Sequence, residues 1–141
     1  MSAPETSGAP PRGRPLSPHM SIYRMSRYSL LSSIANRFTG VLLSFGLILL
    51  LYWLLALAGG PQAYAAALAV LASLPLKVIY ALLALAFSYH LAAGVRHLIW
   101  DTGHGLSRQQ SQRSAGWVLA VSLLIAAILI GWGLFGGGGT R

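Results

Sequence analysis

Four histidines, at positions 19, 90, 97 and 104, are the residues of this sequence best suited to chemistry, and only His90 lies inside a long apolar stretch. A neutral imidazole in such surroundings has two uses. It hydrogen-bonds to a neighbouring helix, or it ligates the metal of a haem or chlorophyll-type ring. His90, Gly94, His97 and Asp101 recur at helical spacing, which at roughly 100° per residue puts them within about 60° of one another on one stripe. Gly94, one turn from His90, removes the side chain that would keep a flat macrocycle off the helix; it equally suits close packing of two helices. Arg96 and His97 fall near the boundary where carboxylate side groups of such a ring would emerge. His97 lies about 10 Å from His90 along the same face, so it cannot reach the opposite side of the same metal. The methionines, Met1, Met20 and Met25, fall near the amino terminus, away from the depth of His90. Conditional on such a ring with two histidine ligands, the second comes from another polypeptide.

A second constellation combines Ser29, Ser33 and Arg37 at i, i+4 and i+8, with Asn36 beside them and Gly40 a turn beyond Asn36. Hydroxyl, guanidinium and amide on one side of a helix at the acyl–headgroup boundary would hydrogen-bond a carbonyl oxygen of a lipid-soluble quinone. Arg37 would stabilise negative charge developing there on reduction. The plainer account is a serine near a helix start and an arginine snorkelling to lipid phosphate. Spacing alone favours the plainer account.

These side chains need elements to hold them, and the composition names the kind. Of 141 residues 55% are hydrophobic and 9% charged, with a mean hydropathy of +0.65, against about 25% charged residues in a soluble domain. The length fits one compact membrane unit, with no room expected for a separate soluble catalytic domain. The absence of cysteine excludes disulfides, thiolate zinc or iron–sulfur ligation and cysteine nucleophiles within the chain. From Phe38 to Leu76 there is no charged residue, but Gly59-Gly60-Pro61-Gln62 breaks the run with a turn. The spacing of Leu30, Leu31, Ile34 and Phe38 starts a first transmembrane helix near residue 30, ending near 58. Ala63 to Leu74 is too short to span and reads as an interfacial or loop helix. A second span is expected over about 76–100, opened by Pro75 and bounded by Lys77 and Arg96, and a third over about 115–135. Residues 1–28, proline-rich, read as an extended segment on the inner side, and residues 136–141 as a glycine-rich tail. The fold class is all-α integral membrane, three transmembrane helices bundled with a second anchor subunit if the ring reading holds. A transporter would need more polar groups through the bilayer than these spans carry.

The formal charge of +8 would suggest nucleic acid in a soluble protein, but the basic residues sort by side. Arg12, Arg14, Arg24, Arg27, Arg37, Arg96, Arg108 and Arg113 fall on one side of the three spans, and only Lys77 and Arg141 on the other. By the positive-inside rule the amino terminus and the loop between the second and third spans face the cytoplasm or matrix. The charge is a topology signal, and no nucleic-acid partner is expected.

Two separate segments resemble one family. Arg14-Pro15-Leu16-Ser17-Pro18-His19, followed by Ile22-Tyr23 and by Ser33-Ile34-Ala35-Asn36-Arg37-Phe38-Thr39-Gly40, resembles the R-P-L-S-P-H start and S-x-x-H-R-x-[ST]-G motif of the cytochrome b membrane-anchor subunit of succinate dehydrogenase. His90 to Gly103 resembles that family's H-x-x-x-G-[IV]-R-H-x-x-x-D-x-G. The resemblance implies a haem b-binding anchor of succinate:quinone oxidoreductase, respiratory complex II. In it His90 is an axial haem ligand, and a second anchor subunit supplies the other histidine. It implies that Ser33 and Arg37 line a ubiquinone site, and that Arg37 and His97 lie near haem propionates. Asn36 departs from the family's usual histidine; an amide donates a hydrogen bond but carries no positive charge. The amino-terminal segment and inner loop would dock an iron–sulfur subunit, which carries the flavoprotein where succinate is oxidised, so no catalytic residue for succinate is expected in this chain. The implied location is a bacterial inner membrane, spanned several times, with the amino terminus cytoplasmic and membrane lipid around it. The alternatives are a haem-free assembly anchor and another haem- or pigment-binding membrane protein.

Overall fold

The structure, a computed structural model, describes residues 27–135. Residues 1–26, with the R-P-L-S-P-H motif and His19, the Ser29 side chain and the tail 136–141 lie outside the described residues. Four helices follow in order: α1 (Arg27–Ala58), α2 (Pro61–Leu71), α3 (Leu74–Asp101) and α4 (Arg108–Phe135). The long helices α1, α3 and α4 are each apolar and long enough to cross a membrane, whereas the apolar α2 is too short. The protein is an all-α membrane protein with three spans.

Local sequence explains each boundary. After α1, Gly60 adopts φ +93°, a left-handed conformation that costs glycine little, and Pro61 opens α2 where a missing N–H is harmless. Ser73, extended, precedes α3 without a side-chain capping bond, and the first turn of α3 again contains a proline. The short helix therefore ends at Leu71, before the expected Leu74, and α3 starts at Leu74. At the other end of α3, Thr102 caps the helix and Gly103, at φ +81°, turns the chain, its N–H bonded to the Trp100 carbonyl at 2.9 Å. Helix α4 begins at Arg108, ahead of the uncharged run that starts at Ala115. Ser107 explains the early start: its Oγ accepts from the Gln110 N–H at 3.3 Å and donates to Gln110 Oε1 at 2.8 Å, a cap of the S-x-x-Q kind. At the start of the chain, α1 already includes Arg27 and Tyr28, which the sequence assigns to the extended segment.

The three long helices run antiparallel in sequence order, so the start of α1, the end of α3 and the start of α4 share one end of the molecule. Their contacts are made by small residues: Ala56, Ala86, Ala93, Val118 and Ala126 are buried, with Ser88, Arg96 and Ser122, and Ala67 is buried in α2. Small side chains let membrane helices approach closely. The buried hydroxyls of Ser88 and Ser122 return to their own helices, donating to the Ala84 carbonyl at 2.7 Å and the Leu119 carbonyl at 2.8 Å. Large apolar side chains face outward instead, among them Phe38, Phe45, Leu47, Phe87 and Trp132. In water this arrangement would expose the apolar surface; lipid or another membrane subunit must cover it.

Candidate functional site: an open groove beside His90

Helix α3 carries two polar faces, separated by about 100° of helical turn. His90, half-buried, lies on the face turned toward α1. Its Nδ1 is 3.2 Å from the Asn36 backbone carbonyl and 3.3 Å from Thr39 Oγ1. A carbonyl oxygen can only accept, so Nδ1 carries a proton, and in the neutral ring the lone pair is then on Nε2. Thr39 Oγ1 uses its own proton on the backbone, at 2.9 Å from the Ala35 carbonyl and 3.0 Å from that of Asn36, and is left as an acceptor toward the ring. Gly40 makes this approach possible, because a Cβ there would stand 3.2 Å from His90 Cε1. The imidazole is thus fixed in orientation and tautomer by backbone of the neighbouring helix.

His90 lines a groove of about 520 Å³, open to the side, whose walls include Gly40, Leu43, Ser44, Leu47, Leu83 and Phe87. That volume is in the range of ligand sites, and the lining is apolar apart from His90 and Ser44. Gly94 lies a turn along α3 on the His90 face, and a Cβ added there would meet nothing within 4 Å. Of the two uses its sequence position allowed, packing against another helix of this chain is thereby absent among the described residues. Nor, among them, do three His, Cys, Asp or Glu side chains gather to hold a metal ion. A metal at His90 must draw its other ligands from outside the described residues.

Ser33 is half-buried and Arg37 exposed. With Gly40 and Ser44 they form an i, i+4, i+7, i+11 stripe on α1, continuing the groove's wall toward the start of the helix. Asn36 lies next to this stripe; its Oδ1 is buried and has no hydrogen-bond partner among the described residues. His97 is exposed, with its ring edge-on to Trp100 at 5.1 Å.

Arg96 departs from its sequence expectation. It does not join His90 and His97 at the boundary of the groove but is buried on the other face of α3, only 5% exposed. Its Nε donates to Ser114 Oγ at 2.8 Å, Nη1 to Ser32 Oγ at 2.8 Å, and Nη2 to the Ser111 carbonyl at 2.8 Å and Ser111 Oγ at 3.1 Å. Its guanidinium carbon stands 4.0 Å from the centre of the Trp100 ring, in cation–π distance. Tyr89 adds a hydroxyl 3.3 Å from both the carbonyl and Oγ of Ser32. This cluster ties α1, α3 and α4 together, and Ser32, Ser111 and Ser114 were not singled out by sequence. The S-x-x-S spacing of Ser111 and Ser114 is the only local signal, and it is common to many helices.

Residues 10–130 match the family described as succinate dehydrogenase/fumarate reductase transmembrane subunit. The chain is 38% identical over 117 residues to the succinate dehydrogenase cytochrome b556 subunit of Paracoccus denitrificans, covering 83% of this chain and 89% of that one. It is 36% identical to the corresponding subunit of Rickettsia felis over 83% of this chain and 90% of that one. To the human mitochondrial succinate dehydrogenase cytochrome b560 subunit it is 39% identical, over 79% of this chain and 66% of that one. With three spans and both sequence motifs inside or across the matched region, the chain belongs to the family of succinate dehydrogenase/fumarate reductase transmembrane subunits.

Proposed function

We propose that this chain is the haem b-carrying anchor of a succinate:quinone oxidoreductase, helping to pass electrons from an iron–sulfur subunit to ubiquinone in a bacterial inner membrane. The observation that carries the reading is the state of His90. Its Nδ1–H is held by the Asn36 carbonyl, so Nε2 presents a lone pair beside an open apolar groove. Metal-ligating histidines characteristically donate their other N–H to such a carbonyl, which fixes the ring and raises its basicity. Gly40 lets α1 approach the ring closely, and the surface at Gly94, a turn along α3, is open. The residues fit the group: His90 would hold haem b from one side, with a histidine of a second anchor subunit on the other. Bound there, haem b supplies a one-electron carrier within the membrane. His97 and Arg37 would lie near its propionates.

The chain's own residues do the rest by position and charge. Ser33 donates a hydrogen bond toward a ubiquinone carbonyl, and Arg37 stabilises the negative charge that develops on that oxygen. Asn36, with no ionisable group, contributes a neutral amide where relatives of the resembled pattern place imidazole. The amino-terminal segment and the α3–α4 loop face the cytoplasm, where eight of the ten basic residues lie, and would dock the iron–sulfur subunit with its flavoprotein.

His90→Ala in the purified complex tests the reading. The haem b band of the reduced-minus-oxidised spectrum is expected to vanish or change form; an unaltered spectrum rejects His90 as ligand, and a wild-type complex without haem favours the haem-free anchor. For the ubiquinone site, Ser33→Ala and Arg37→Leu should slow quinone reduction while succinate oxidation with an artificial acceptor persists. Equal loss of both activities would mean failed assembly.

A further inference from the structure

The Arg96 cluster has more than a packing consequence, because one of its partners, Ser32, directly precedes the first residue of the candidate ubiquinone stripe. We infer that Arg96 is a positioning residue for that site, fixing the rotation of α1 about its own axis through Ser32. This rests on the placement of ubiquinone at Ser33 and Arg37 proposed above.

Ser32 precedes Ser33 in sequence and lies one turn before Asn36 on the same side of α1. The two shortest contacts that pin this side of the helix to α3 are Arg96 Nη1 to Ser32 Oγ at 2.8 Å and His90 Nδ1 to the Asn36 carbonyl at 3.2 Å, with the Tyr89 hydroxyl adding longer bonds of 3.3 Å to Ser32. The first is the shorter and charge-assisted, hence the stronger. The guanidinium is itself immobilised, since its remaining contacts reach α4 at Ser111 and Ser114 and its plane rests against Trp100. Every oxygen bonded to it is uncharged, so it is held by geometry from three helices rather than by one carboxylate. Ser33 and Arg37 each follow a pinned residue by one position, so the same contacts set where they point. With side-chain atoms about 5 Å from a helix axis, a turn of about 20° moves them by nearly 2 Å. Displacement on that scale removes the alignment a hydrogen bond to a quinone carbonyl requires.

The link can be cut at either end without removing the arginine. In the purified complex, Ser32→Ala should raise the KM for ubiquinone about tenfold with kcat changed less than about twofold, because positioned binding is lost. Ser32→Thr, which keeps the hydroxyl, should restore the wild-type KM. Ser114→Ala removes one of the guanidinium's α4 contacts, lowers the thermal midpoint and leaves the KM where it was. A lowered midpoint with unchanged KM in both Ser32→Ala and Ser114→Ala overturns the inference, as does a raised KM that Ser32→Thr fails to restore. Arg37→Leu separates the two levels of the argument: if it impairs quinone reduction while Ser32→Ala does not, the ubiquinone site stands and the positioning role falls. If Arg37→Leu and Ser33→Ala both behave as wild type, the site itself is refuted and the inference with it.

Discussion

On the side of α3 that carries Tyr89, Arg96 and Trp100, polar groups meet partners within the chain: serines of α1 and α4 around the guanidinium, and an indole beneath it. On the side that carries His90, Gly94, His97 and Asp101, the described residues form one wall of an open groove. One nitrogen of His90 is fastened, and the groove in front of it is open. The two sides are a few residues apart in sequence and equally polar, yet they serve different ends. A satisfied buried cation holds three helices that have little else to hold them, since apolar contact between helices in lipid carries no hydrophobic driving force. An oriented, half-satisfied imidazole is the form a histidine takes when another molecule is meant to complete it.

Substitutions should divide along the same line, the closed side losing stability and the open side losing its occupant. Arg96→Ala is expected to have the largest effect, costing about 3 kcal/mol or more, because several hydrogen bonds to a charged group disappear together. Thermal unfolding of the purified complex would register it, and a near-wild-type midpoint would remove the distinction between the faces. Gly40→Val comes next. Its branched side chain starts from a Cβ position already 3.2 Å from His90 Cε1, so the ring must move and haem content should fall, with a stability loss of about 1–3 kcal/mol from overpacking. Gly94→Leu should leave the chain's own stability nearly unchanged, since a Cβ there meets nothing within 4 Å, yet lower haem retention by placing a bulky side chain one turn from His90 on the same face. Full haem content in this variant would show that the macrocycle does not lie against Gly94. The smallest effect is expected for Thr39→Val, which removes the longer of the two His90 contacts and keeps the Asn36 carbonyl. A shift in the haem reduction potential with normal haem content would be its signature.

The sequence makes the open side far more legible than the closed one. His90, Gly94 and the three spans stand out because charge-free runs and helical spacing are local properties of the chain. What fastens His90 is a backbone carbonyl, which has no residue signature, so its tautomer could not be read in advance. The Arg96 cluster joins residues as far as 64 positions apart, and its partners are serines, which recur all along this chain without special spacing. Proximity in sequence groups that arginine with His97, although it lies about a third of a turn from His90 around the helix and points to α4. The early start of α4 was missed for a related reason: hydrophobicity marks where a helix enters the bilayer, and the Ser107–Gln110 cap marks where it begins.

The most direct test of the account is a density map of the purified complex around the groove lined by Gly40, Leu47, Phe87 and His90. The account predicts a planar macrocycle there, its iron bonded to Nε2 of His90 and to a histidine of a second anchor subunit, with Nδ1 still on the Asn36 carbonyl. Lipid chains or apolar side chains filling the groove, or a metal bonded through Nδ1, would contradict it.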